Sequence, residues 1–306
     1  MIIIPPYLKP GDCIGITCPA GFIEINEIND MVTKLSSWGF KTKLGKTVGT
    51  SFNKFSGTDE ERKNDVQEML DDENIKAIFF GRGGYGVVRI IDALNFSNFI
   101  KHPKWLLGYS DITCFHNHIN RNFNISTIHA HMCTGYFESN YDSISTQSIF
   151  DVISGKTLNY KLENTNTFSK YGQSSGQLIG GNLALISDLI GTNSDIETEN
   201  KILFIEDIGE YVYNIDRMLW QFKKANKLNK LAGLIVGGFT DLQDNEIKFG
   251  MSIEEIILEK VSEYNFPVCF DFPVGHQPKN WALKIGVKYE FVVNENFVSL
   301  KEINLV

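Results

Sequence analysis

Three side chains in this sequence are of the kinds that together activate a hydroxyl group, and each follows an apolar run. Ser110 comes after Trp105 to Leu107, with Gly108 two residues ahead of it, in W-L-L-G-Y-S-D-I-T. A glycine there allows a tight turn, and Asp111-Ile112-Thr113 can open a helix whose free N–H groups face the serine oxygen. Glu206 follows Ile202 to Ile205, and His276 follows Val268 to Phe270 in the stretch F-P-V-G-H. A serine hydroxyl is a poor nucleophile at its free pKa. A histidine can take its proton, and a carboxylate can hold that histidine in the productive tautomer. The same residues also have bland readings: a serine that caps a helix, a glutamate solvated at a strand end, a histidine in a loop.

The chain order Ser, Glu, His is the order used by α/β-hydrolases, and the turn resembles their nucleophile elbow, although Ile112 stands where G-x-S-x-G has its second glycine. A second cluster precedes the serine. Ile75 to Phe80 breaks into Gly81-Arg82-Gly83-Gly84-Tyr85-Gly86, which satisfies G-x-G-x-x-G and has Asp111 just past the next strand. That is a dinucleotide-binding reading, using Gly81, Gly83 and Gly86. Against it, Arg82 and Tyr85 put bulk where a pyrophosphate would approach, and the pattern follows a later strand rather than the first. A turn that only needs positive φ explains the glycines equally well. His129, His131 and Cys133 alternate and would share a strand face able to hold zinc. The strand is expected to end near Ala130 with no carboxylate at hand, so no metal site is expected.

The elements that must position these residues are legible from periodicity. Strands are predicted at Cys13 to Thr17, Ile75 to Phe80, Trp105 to Leu107 and Ile125 to Ala130. Between them come a helix on Ile25, Ile28, Val32 and Leu35 closed by Gly39, and one opened by the capping box Thr58-Asp59-Glu60-Glu61. Two more follow, one on Val88, Ile91 and Leu94 and one from Ile112 to Ile119. Alternating strands and helices mean a layered α/β domain with a mostly parallel sheet, here residues 1–137. Residues 138–175 shift towards Asn, Ser, Thr and Tyr and read as a linker. Residues 176–306 read as a smaller C-terminal α/β domain. It holds a helix on Leu183, Ile186 and Ile190, a strand Ile202 to Ile205, and a helix on Ile215, Met218, Leu219 and Phe222. A strand Leu231 to Val236, a helix Ile253 to Val261 and short closing strands complete it.

Composition bounds the partners. A chain of 306 residues with 42% hydrophobic residues can bury sizeable cores. Net charge of -8 with no Lys/Arg cluster argues against nucleic acid or an anionic membrane surface and towards a small molecule or peptide. The five cysteines are odd in number and scattered, without C-x-x-C, which fits a reducing compartment. The start has no basic region, Pro5 and Pro6 interrupt it, and no apolar run reaches membrane-spanning length; a cytoplasmic protein is expected.

The segments L-K-P-G-D, S-G-T-D-E-E-R, G-R-G-G-Y-G-V-V-R, H-P-K-W-L-L-G-Y-S-D-I-T, I-G-G-N-L, I-L-F-I-E-D-I-G-E, Y-N-I-D-R-M-L and F-P-V-G-H, in this order, resemble the LD-carboxypeptidase family, a resemblance that runs from about Leu8 to Gly286. The resemblance implies a nucleophile at Ser110, an orienting carboxylate at Glu206 and a base at His276. It implies hydrolysis of the bond between an L-centre and terminal D-alanine in the murein tetrapeptide, without a cofactor, in a protein that is commonly a homodimer. The backbone N–H of Asp111 and of Gly83 or Gly84 would meet the oxyanion, and Arg82 is the nearest arginine able to receive the substrate carboxylate. A related activity in the family, the microcin C immunity peptidase, cuts a peptide-nucleotide toxin. A base-stacking aromatic would then be sought in the linker, among Tyr141, Tyr160, Phe168 and Tyr171. Three departures from the family pattern are visible: Ala20-Gly21 after Cys18-Pro19, His129-Ala130-His131-Met132 in place of H-G-P-M, and Lys284 in place of proline.

Overall fold

The computed structural model describes residues 2–133 and 143–303. β1 (Cys13–Thr17) is buried from Ile14 onward. α1 (Asn29–Ser37) turns Met31 and Leu35 inward and is followed by Gly39 at a φ of 86°. β2 (Lys41–Leu44) pairs with β1 as an outer strand. α2 (Asp59–Asp71) starts at the expected capping box: Thr58 Oγ1 accepts from the Glu61 N–H at 3.2 Å, and Glu61 Oε2 accepts from the Thr58 N–H at 2.8 Å. β3 (Ile75–Phe80), α3 (Ser97–Lys101), β4 (Trp105–Gly108), α4 (Thr113–Phe123) and β5 (Thr127–His129) follow. β5 is shorter than the run Ile125 to Ala130 because Ile125 bridges to Ile3 instead.

The helix expected on Val88, Ile91 and Leu94 does not form. Two short 3-10 turns, Val87–Arg89 and Ile91–Ala93, take its place. The hydrogen bonds there close three residues apart, Arg89 N–H to the Gly86 carbonyl at 3.2 Å and Ile90 N–H to that of Val87 at 3.0 Å, while Asp111 Oδ2 accepts from the Val87 N–H at 2.8 Å and Arg62 Nη1 donates to the Gly86 carbonyl at 3.0 Å. With no helix opening behind the glycines, the dinucleotide reading loses the N-terminus that would hold a pyrophosphate.

The second half runs α5 (Ser143–Ile153), β6 (Asn159–Glu163), β7 (Gly172–Asn182), α6 (Leu183–Asp188), β8 (Ile202–Ile208), α7 (Val212–Lys224), β9 (Gly233–Thr240) and α8 (Ile253–Val261). β10 (Val268–Cys269), β11 (Leu283–Ile285), β12 (Lys288–Val293) and β13 (Phe297–Glu302) close it. One sheet has the order β11-β5-β4-β3-β1-β2, the other β10-β9-β8-β7-β12-β13-β6. The first is parallel except for β11, which joins β5 antiparallel from the far end of the chain. In the second, β7 to β10 are parallel, while β12, β13 and β6 form an antiparallel extension. Thus the described part of the expected linker, residues 143–175, contributes α5, the outer strand β6 and the start of β7.

The two sheets share one buried core. Phe79, Trp105 and Ile128 of the first belong to the same apolar cluster as Phe204, Tyr289 and Phe291 of the second. They also meet beside the candidate serine. Gly181, near the end of β7, comes so close to α4 that a Cβ there would stand 2.5 Å from Thr113 Oγ1, and the next N–H, of Asn182, donates to that oxygen at 3.1 Å. Only glycine permits this seating, which sets the carboxyl ends of both parallel arrays side by side.

Candidate active site

β4 delivers Ser110 in an unusual conformation. Tyr109 is extended, and Ser110 has a φ of 60°, in the left-handed region that a side chain occupies at a cost of about 1 to 3 kcal/mol. The surrounding contacts hold it there. The Gly108 carbonyl accepts from the Ala130 N–H at 3.2 Å and lies 2.9 Å from His116 Nε2. A carbonyl only accepts, so His116 carries its proton on Nε2 and takes the Thr127 hydroxyl on Nδ1, at 2.9 Å. Burial pushes His116 down to about 4, so this anchor stays neutral.

The glycine loop lies against the serine. A Cβ on Gly83 would stand 3.0 Å from Ser110 Cβ and 3.1 Å from its Oγ, so the bare backbone of Gly83 faces the hydroxyl. Two buried charges fix this loop from behind. Asp111 carries the bond to Val87, and burial raises its carboxyl to about 6. Arg62, fully buried, donates to the carbonyls of Gly86, Gly57 (3.3 Å) and Pro19 and reaches Asp59. Sequence reading missed Arg62 as a site element. The signal was available: it lies on the same helical stripe as Val66 and Met69, where an arginine must find buried acceptors. Arg82 is exposed, with Nη1 donating to the Phe22 carbonyl.

Glu206 lies within β8, not just past it. Ile205 pairs with Val236 and Asp207 with Phe239, so Gly237 and Gly238 bulge opposite Glu206. Its side chain is fully buried, and Oε2 accepts from His276 Nδ1 at 2.7 Å and from the His276 N–H at 3.3 Å. Burial disfavours the His276 imidazolium, but the hydrogen bond and charge of Glu206, with Asp207 behind it, outweigh burial and raise this group above its usual value. Asp207 itself is pushed up to about 6 by burial and accepts from Asn182 Nδ2 and the Ala184 N–H, both at 2.9 Å, at the start of α6.

Tyr109 links the two halves: its ring centre is 4.7 Å from that of His276 and makes edge contacts with His129 and His131. The structure thus joins Glu206 to His276 and places the residue next to Ser110 against the imidazole. Among the described residues, the hydrogen bonds of His276 run to Glu206 and, through its carbonyl, to Thr240, and none joins it to Ser110. In serine hydrolases the contact between nucleophile and base is often long before substrate binds.

The remaining candidates have other engagements. His129 Nε2 is 3.1 Å from Asn280 Oδ1, and His118 Nδ1 is 2.9 Å from Ser194 Oγ. No group of three His, Cys, Asp or Glu side chains able to hold a metal occurs among the described residues. Of the linker aromatics, Tyr160 is buried, its ring tilted against that of Trp281 with centres 4.9 Å apart, and bonded to the Ala282 carbonyl; Phe168 and Tyr171 are exposed, and Tyr141 lies outside the described residues. Lys284 is far from a surface role, buried with its ammonium 3.0 Å from both Glu302 oxygens.

A strained serine turn after β4 of one sheet lies, through Tyr109, against a histidine paired to a buried glutamate of the other, an arrangement of the kind that serine-type peptidases use. The chain belongs to the LD-carboxypeptidase family: residues 14–130 match its N-terminal domain and residues 175–291 its C-terminal domain. It is 32% identical over 286 residues to a probable murein peptide carboxypeptidase of Bacillus subtilis, covering 93% of this chain and 90% of that protein. It is 25% identical to the microcin C7 self-immunity protein of Escherichia coli, over 96% of this chain and 94% of the relative. The fold matches the crystal structure of muramoyltetrapeptide carboxypeptidase from Oxalobacter formigenes with a TM-score of 0.86 at 22% identity, over 95% of this chain and 99% of that one. The protein is therefore a carboxypeptidase, a hydrolase. Among the described residues, no helix is long and apolar enough to cross a membrane.

Proposed function

We propose that this chain releases terminal D-alanine from the murein tetrapeptide by acyl transfer to Ser110. The observation that carries this reading is the 2.7 Å bond from His276 Nδ1 to buried Glu206, held beside the left-handed turn at Ser110. With Nδ1–H committed to Glu206, Nε2 is the bare nitrogen, the atom that must take the serine proton. Ser110 Oγ attacks the scissile carbonyl, and His276 accepts its proton and then returns it to the leaving D-alanine amine. Water repeats the sequence to free the acyl-enzyme. The oxyanion meets the N–H of Asp111 and of Gly83 or Gly84, where the bare glycine backbone leaves room. Arg82, an exposed residue, or the adjacent backbone, receives the substrate carboxylate.

The nucleophile belongs to a domain 1–137, the acid and base to a domain 176–306, and 138–175 joins them. The protein works in the cytoplasm, in cell-wall recycling, as a homodimer. A panel of L,D- and D,D-linked tetrapeptides, free and amidated, with one nucleotide-conjugated peptide, tests the reading. D-alanine release from the free L,D substrate alone, abolished by Ser110→Ala without loss of folding, is the expected result. Amidation should cost roughly tenfold to a hundredfold in kcat/KM, the value of one charge-assisted hydrogen bond. Preferential cleavage of the nucleotide conjugate would move the assignment to the microcin-type substrate, and parental turnover by Ser110→Ala would end it.

A further inference from the structure

Behind His276 runs a chain of hydrogen bonds that the proposed chemistry does not use. Asn280, fully buried, has Oδ1 2.9 Å from the N–H of Gly275 and 3.1 Å from Nε2 of His129, at the end of β5. A peptide N–H only donates, so the atom facing Gly275 is the amide oxygen. That oxygen only accepts, so His129 carries its proton on Nε2. Burial, reinforced by the neighbouring histidines, holds His129 well below the usual histidine value, which makes it a permanently neutral donor. Asn280 is braced from outside as well: its own N–H donates to Ser145 Oγ of α5 at 3.0 Å.

Gly275 is the pivot for the residue after it. Its φ is 103°, and a Cβ there would stand 2.6 Å from Glu206 Cβ and 2.7 Å from Glu206 Oε2, so the same peptide carries His276 and packs on its carboxylate. A glycine has wide freedom unless its backbone is tied, and Asn280 ties it. The pair also leaves Asn280 Nδ2 and His129 Nδ1 buried without a hydrogen-bond partner among the described residues, a cost that a pair kept only for stability would avoid.

We propose that His129 and Asn280 are positioning residues for His276, through which the first sheet sets the angle at which the base on the second half meets the Ser110 turn. This rests on His276 being the base. In assays of D-alanine release, His129→Leu and Asn280→Ala should lower kcat roughly tenfold to a hundredfold with KM within about twofold, because a misplacement of about 1 Å costs that much. His129→Gln, which keeps a donor, should recover kcat to within roughly threefold of the parent. Ser110→Ala and His276→Ala are run beside them. If those two are inactive while His129→Leu and Asn280→Ala match the parent, the positioning role is overturned and the triad stands; if those two are active, the triad itself falls. Equal losses in His129→Gln and His129→Leu also overturn the role. Should a variant unfold at the assay temperature, the low-field proton of the His276–Glu206 bond is read in the cold. A shifted or broadened resonance supports the role, and an unchanged one refutes it.

Discussion

Replacing Glu206 by glutamine tests the site most sharply, because it keeps the volume and removes only the charge. In the proposed mechanism His276 reacts from its neutral form and is cationic once it holds the serine proton, so the attraction to Glu206 appears on the way to the transition state. The pair is bonded at 2.7 Å with the carboxylate wholly buried, so solvent screens it little. Unit charges about 4 Å apart at an effective dielectric near 20 interact by about 4 kcal/mol. At about 1.4 kcal/mol per factor of ten, Glu206→Gln should lower kcat roughly a thousandfold. The pH profile gives an independent sign. The base works when neutral, so activity rises with pH through the His276 titration. That titration lies above its usual value because Glu206 overcomes burial. Removing the charge leaves burial dominant, so the acidic limb of kcat/KM should move to lower pH. D-alanine release from an L,D-linked tetrapeptide over a pH series reads both effects. A kcat within tenfold of the parent, or an acidic limb that stays or moves upward, would refute the reasoning.

Gly83→Ala should fold normally yet lose roughly a hundredfold in kcat, since its Cβ would fall 3.1 Å from Ser110 Oγ, beside the proposed oxyanion position; unchanged kcat would remove Gly83 from the site. Arg62→Lys should cost about 2 to 4 kcal/mol in urea unfolding, because one ammonium cannot serve the carbonyls of Pro19, Gly57 and Gly86 and also Asp59. Asp111→Asn should flatten the dependence of stability on pH. In the parent, the folded-state value near 6 exceeds the ordinary 3.8, so stability declines as pH rises between them, by at most about 3 kcal/mol. Thermal unfolding at intervals across that window reads the slope, and an unaltered slope in the variant would contradict the assignment.

Ser110, Glu206 and His276 stood out in the sequence because each follows a run of strand-forming residues, a purely local signal. The left-handed backbone at Ser110 was less legible, since Ile112 spoils the usual elbow pattern and the turn is held by distant groups, among them His116 and Ala130. β2 and β7 were missed for different reasons. K-T-K-L is a polar outer strand, and G-Q-S-S-G-Q-L-I-G-G-N straddles the expected linker boundary at Ser175, its glycines answering to close neighbours rather than to propensity. The spacing of Val88, Ile91 and Leu94 is helical, but the chain there closes into two separate 3-10 turns that break at Ile90. The contact of His129 with Asn280 spans 151 residues of chain and leaves no trace in either local segment.

β11 has a consequence for the order in which the molecule can be built. It supplies the strand beside β5, yet lies at Leu283–Ile285, after five of the seven strands of the second sheet. On a ribosome, the half that bears Ser110 must wait with β5 as an open edge until almost the whole polypeptide has emerged. A fragment that stops after α4 and β5 keeps that edge unpaired and open to association with other chains. Loop closure on this scale favours slow folding, and it ties the two halves into a single cooperative act, so that the serine turn and the histidine strap are completed together.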